Sequence, residues 1–124
     1  MKKITRDWLA KAEQDFSGAV SLARKRRIPA DVVCFLCQQV AEKYLKGLLQ
    51  ENLIRFEKTH DLEGLSKLAQ PIATSLSLFQ NDFEVLSVYA VRFRYPGSDA
   101  TPAAAKAAVA AAKRIRAAVR LALG

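Results

Sequence analysis

Phe35-Leu36-Cys37-Gln38-Gln39-Val40-Ala41-Glu42-Lys43-Tyr44-Leu45-Lys46 carries its apolar residues at helical spacing. Wound at about 3.6 residues per turn, this stretch and its flanks, from Ala30 or Asp31 to about Asn52, put Val33, Cys34, Leu36, Cys37, Val40, Ala41, Tyr44, Leu45 and Leu48 on one wide apolar arc. An arc that wide belongs to the central helix of a bundle. Gln38, Gln39, Glu42, Lys43, Lys46 and Gln50 share the remainder with Phe35. Their narrow stripe is either the solvent side of the helix or the floor of a groove. The i, i+4 pair Glu42–Lys46 fits a solvated face by default. The other reading is a dimer register set by Gln38 and Glu42, with Phe35 as its apolar anchor.

Working outward, the same periodicity recurs. A first helix starts near Thr5, as N-cap, presents Trp8, Ala12, Ala19 and Leu22 with Leu9 and Phe16 beside them, and ends in Arg24-Lys25-Arg26-Arg27, where its dipole favours cations. Pro29 marks the break. A third helix starts at Thr59, capping His60-Asp61-Leu62, and stops before Pro71; a fourth runs from about Leu76 to Val91. Tyr95-Pro96-Gly97-Ser98-Asp99 is a turn, and Thr101-Pro102 caps an alanine-rich last helix with Lys106, Lys113, Arg116 and Arg120 on one side. No period-two alternation suggests a strand. The expected fold is all-α: one domain over residues 1–124, an up-and-down bundle of four to five helices, four of them long.

The chain has 124 residues and a formal net charge of +8. The excess is at the ends: residues 1–27 hold eight Lys/Arg against three Asp/Glu, residues 89–124 seven against one, and residues 28–88 five against eight. Such asymmetry suits a polyanion such as RNA, or an acidic partner. Charges interrupt every apolar run before a membrane span is reached, and the N-terminus reads as an amphipathic helix rather than a signal peptide, so the expectation is a cytoplasmic protein without a membrane partner. Cys34 and Cys37 form a C-x2-C, but one histidine and no further cysteine leave a zinc site incomplete. They read as core, and neither a metal nor a cofactor is expected.

Chemistry has few places to reside. His60, the single histidine, lies five residues after Arg55. In the first turn of a helix it would be kept neutral by the dipole and could serve as a general base, with Arg55 stabilising phosphorane charge in phosphodiester cleavage. The plain alternative makes His60 a helix-capping residue and Arg55 a solvated cation. Arg92, Arg94 and Tyr95, with Lys58, are candidate phosphate-binding residues; alternatively, they are a basic helix end with an aromatic plug. Gly-rich phosphate loops and nucleophile elbows are missing.

Together, Trp8, Ala12 and Asp15, the Phe35–Gly47 block with its Gln-Gln-x-Ala-Glu-Lys-x-Leu-Lys core, Lys58-Thr59-His60-Asp61-Leu62 and Arg94-Tyr95-Pro96-Gly97 resemble the HEPN domain (higher eukaryotes and prokaryotes nucleotide-binding) over nearly the whole chain. The resemblance implies a helical bundle, commonly a homodimer, often encoded beside a minimal nucleotidyltransferase in toxin–antitoxin-like pairs. Active HEPN toxins are metal-independent endoribonucleases with an Arg-x4–6-His motif, matched in spacing by Arg55 and His60; other members bind nucleotides or proteins. The expected function is a nucleotide- or RNA-contacting partner of a minimal nucleotidyltransferase. Its alternatives are an endoribonuclease toxin using His60 and Arg55, and a purely structural dimeric interaction domain.

Overall fold

The computed structural model describes residues 1–93 and 95–124. Among the described residues five α-helices follow one another: α1 (Lys3–Ala23), α2 (Ala30–Glu51), α3 (Leu62–Ala69), α4 (Gln80–Ser87) and α5 (Pro102–Leu123). There is no strand among the described residues. α2 is the axis, packed along its length by α1 and α5, with α3 and α4 closing the remaining side. Its apolar arc is buried as its spacing requires: Val33, Cys34, Cys37, Val40, Ala41, Tyr44, Leu45 and Leu48 all lie in the core.

α1 runs antiparallel to α2, tied at one end by Thr5–Glu51 and further along by Asp15–Lys43. The two approach closely because Gly47 has no side chain: a Cβ there would stand 2.7 Å from Leu9 Cδ1 and 3.3 Å from Trp8 Cβ. α5 runs parallel to α2. Asp31, at the start of α2, accepts the Ala100 N–H at 2.6 Å, just ahead of the Thr101 cap whose hydroxyl accepts from Ala104 N–H. Alanines 105, 108, 111, 112 and 118 let α5 press against α2.

Three local expectations change. α1 begins at Lys3, so Thr5 is not its cap; the buried Thr5 hydroxyl instead donates to Glu51 Oε1 at 2.8 Å. The same oxygen accepts the Lys2 N–H, which moves the helix start back toward the chain end. Likewise α1 stops at Ala23, and the four cations 24–27 lie at and beyond its cap. The fourth helix is not long. The α-helix is confined to Gln80–Ser87 between 3-10 turns at Thr74–Phe79 and Val88–Ala90. Ser77 Oγ donates to the Thr74 carbonyl, a local hydroxyl bond that competes with α-helical continuation. Three helices are therefore long and two short.

The expected turn near residue 97 is present, with Gly97 at a φ of +100° that favours glycine. No helix among the described residues is long and apolar enough to cross a membrane.

Candidate functional site: a buried carboxylate that holds the histidine

The polar stripe of α2 is not a solvated face. Gln38, Glu42 and Lys46, one helical turn apart, are all buried, because the 52–61 connection folds over them with Phe56 and His60. Of the two readings, the groove floor is the nearer. Lys46 Nζ lies 3.1 Å from Glu42 Oε2, and sits 5.5 Å from the Trp8 ring centre and 5.8 Å from that of Phe56. Two aromatic faces and a carboxylate thus replace water around the ammonium.

The other carboxylate oxygen of Glu42 faces His60. Nδ1 of the imidazole is 2.6 Å from Glu42 Oε1, which also accepts from Gln38 Nε2 at 3.2 Å. Gln38 Nε2 reaches the His60 carbonyl as well, at 3.2 Å, and Gln38 Oε1 accepts from Gln39 at 2.7 Å. Ring and backbone of His60 are therefore both fixed from α2. Burial alone would raise the Glu42 pKa, but hydrogen bonds from His60, Gln38 and Lys46 outweigh it and hold the carboxyl below its usual range. An anionic Glu42 accepts from Nδ1–H, so that in the neutral tautomer the lone pair lies on Nε2, which faces away from Glu42 and is open to a ligand.

His60 is outside α3. Thr59 Oγ1 accepts the Asp61 N–H at 3.0 Å, a hydroxyl turn that delays the helix to Leu62, whose N–H is taken by Ser87 Oγ. Neutrality imposed by a helix dipole, expected for a first-turn histidine, gives way to a specific carboxylate contact.

Other candidates are more dispersed. Arg55 is exposed and lines a shallow hollow with Gln50, Leu53 and Ile54. Lys58 is exposed in the same connection, Arg92 lies 5.3 Å over the Phe93 ring, and Tyr95 is 64% exposed. Among the described residues, no hydrogen bond or ion pair joins Arg55, Lys58, Arg92 or Tyr95 to His60. Arg94 lies outside the described residues. Phe35 is half-buried, whereas Gln38 and Glu42, named as interface candidates, direct their polar groups within the chain.

A second polar cluster was not apparent from spacing. Glu13 of α1 takes the Tyr44 hydroxyl at 2.6 Å, Arg116 at 2.7 Å, and Arg120, which also donates to Tyr44 at 3.1 Å. Burial opposes its ionisation, yet Arg116, Tyr44 and Arg120 bring the Glu13 pKa down to about 2. This cluster joins α1, α2 and α5. The cysteines are buried core, as expected, with burial pushing the Cys34 thiol up to about 11 and Cys37 to about 12. No group of three His, Cys, Asp or Glu suited to a metal occurs among the described residues.

The HEPN domain family model matches residues 5–122. This chain belongs to the HEPN domain family. Two solved structures share the HEPN bundle. TT1696 from Thermus thermophilus has a TM-score of 0.86 at 23% identity, over 98% of this chain and 99% of its own. ST0689, described as an archaeal HEPN homologue, has a TM-score of 0.76 at 26% identity, covering 97% of each. No curated protein matches the chain. The Gln38–Glu42–Lys46 stripe and His60, part of the sequence resemblance to HEPN proteins, form a single hydrogen-bonded unit in the fold.

Proposed function

We propose that this HEPN domain contacts the phosphates of a nucleotide or RNA around His60, as a homodimeric partner of a minimal nucleotidyltransferase in a two-gene, toxin–antitoxin-like module. The single observation that carries the ligand contact is the Glu42–His60 pair: an imidazole fixed at Nδ1 and exposed elsewhere. Protonated, Nε2 donates to a phosphate oxygen; neutral, it accepts from a ribose hydroxyl. Lys58, Arg92 and Tyr95, exposed in the flanking segments, are the further contacts proposed. Binding of labelled ATP and RNA by purified protein tests this reading. It expects a clear affinity that weakens with salt and falls at least tenfold in His60→Ala; no binding of either ligand overturns it.

The same pair supports a second reading, metal-independent endoribonuclease activity with His60 as the base. A carboxylate behind an imidazole is the arrangement that orients a general base. Cleavage of RNA in chelator, abolished in His60→Ala, is the expected result. Cleavage that survives His60→Ala removes this version. Arg55→Ala asks separately whether the sequence-paired arginine contributes.

A further inference from the structure

Five cations of the bundle body are engaged by buried or half-buried carboxylates: Arg114 by Asp82, Arg116 and Arg120 by Glu13, Lys43 by Asp15, and Lys46 by Glu42. Arg24-Lys25-Arg26-Arg27, between α1 and α2, instead put four consecutive cations on one turn. All four are exposed or partly so, and none has an ion pair among the described residues. Asp15 and Asp31, the nearest carboxylates along the chain, are occupied by Lys43 and by the Ala100 N–H. The C-terminus of α1 carries about −0.5 charge and the N-terminus of α2 about +0.5, so the two helix ends at this turn offset each other. The positive charge of the four side chains remains uncompensated.

A hollow of about 460 Å³ opens beside them on α1, lined by Phe16, Ser17, Val20, Ser21 and Arg24. Ser17, Ser21 and Arg24 follow one another along one helix face, and neither serine hydroxyl has a hydrogen-bond partner among the described residues. Two free hydroxyls and the edge of the Phe16 ring, whose face is covered by the Arg116 guanidinium 4.9 Å away, thus lead into the four cations. Ile4 and Val32, the exposed large apolar side chains flanking this stretch, stand singly at its two ends, so the surface lacks the continuous apolar face that membrane-surface binding uses.

We propose that this strip is a docking surface for the backbone of single-stranded nucleic acid, on α1 and its C-terminal turn and built without His60. Phosphates lie against residues 24–27, while Ser17, Ser21 and the Phe16 edge receive one nucleotide of the strand. The test is fluorescence polarisation of labelled oligouridylate with the full chain across a salt series. Replacing Arg24, Lys25, Arg26 and Arg27 together by serine lowers affinity about tenfold or more at low salt. For every phosphate that the variant no longer neutralises, the slope of log affinity against log salt falls by about 0.7. Ser17→Leu, which fills the hollow and leaves charge intact, lowers affinity several-fold at unchanged slope. In the His60→Ala background the fourfold replacement lowers affinity by the same factor as in wild type, which keeps this surface separable from the histidine site. The proposal is overturned if the fourfold variant keeps wild-type affinity and slope, if Ser17→Leu binds normally, or if wild-type protein binds anionic phosphatidylglycerol vesicles but not oligouridylate.

Discussion

His60 Nδ1 stands 2.6 Å from Glu42 Oε1, and the two side chains differ sharply in exposure, 68% against 5%. A buried anion therefore anchors an exposed ring across 18 residues of chain. Lys46 is buried at 7% on the other carboxylate oxygen, so Glu42 serves two cationic or hydrogen-bonding groups at once. Removing it affects both.

Glu42→Gln leaves Lys46 buried without its counter-charge, and loss of one partner from a buried pair costs about 3–5 kcal/mol. Urea denaturation is expected to show a loss of that order. Glu42→Gln/Lys46→Met, which removes both charges, recovers most of it. A single variant as stable as wild type would contradict the buried pair.

Acid sensitivity follows from Glu13 and Glu42, whose folded pKa values are both depressed. Depressed carboxylates stabilise the fold above their unfolded value near 4.5, and that stability is lost as pH falls through the folded values. For Glu13, at about 2 when folded and 30% exposed, the contribution is about 2 kcal/mol after allowance for solvent screening. Melting temperature is expected to drop between about pH 5 and 2. Glu13→Gln lowers stability at pH 7 and flattens that drop.

Two glycines in helices are expected to respond oppositely to alanine. Gly18→Ala meets only Leu36 Cδ1, at 3.5 Å, and gains helix propensity, stabilising by about 0.5–1 kcal/mol. Gly47→Ala has the same intrinsic gain but drives a Cβ to 2.7 Å from Leu9. Separating α1 from α2 costs about 1–3 kcal/mol, so a net loss is expected on thermal unfolding.

Leu53 follows the end of α2 at a φ of +58° and is 81% exposed, so it has strained backbone and little packing. Leu53→Gly is expected to raise stability by about 0.5–1 kcal/mol, read from the denaturation midpoint.

Cys34 and Cys37, with thiols raised to about 11 and 12, are nearly thiolate-free at neutral pH. Native protein is expected to resist iodoacetamide and react only on unfolding. Rapid labelling of the native fold would contradict their burial.

The helices were legible where local patterning decides them. Periodicity from Val33 to Leu48 identified α2 as central, and Thr101-Pro102 marked the start of α5 because cap and proline act within one turn. Thr5 was misleading because a hydroxyl that can cap a helix can equally donate to a distant carboxylate, and Glu51 is supplied by another helix.

The sequence by itself determined an all-helical HEPN bundle and its buried cysteines, because composition, helical spacing and motif order are properties of the chain. Tertiary structure decided that Glu42 and Lys46 are buried partners rather than a solvated pair, and that Glu42 rather than Arg55 engages His60. Helical spacing gives the face a residue occupies, but only the path of the 52–61 connection determines whether that face is covered.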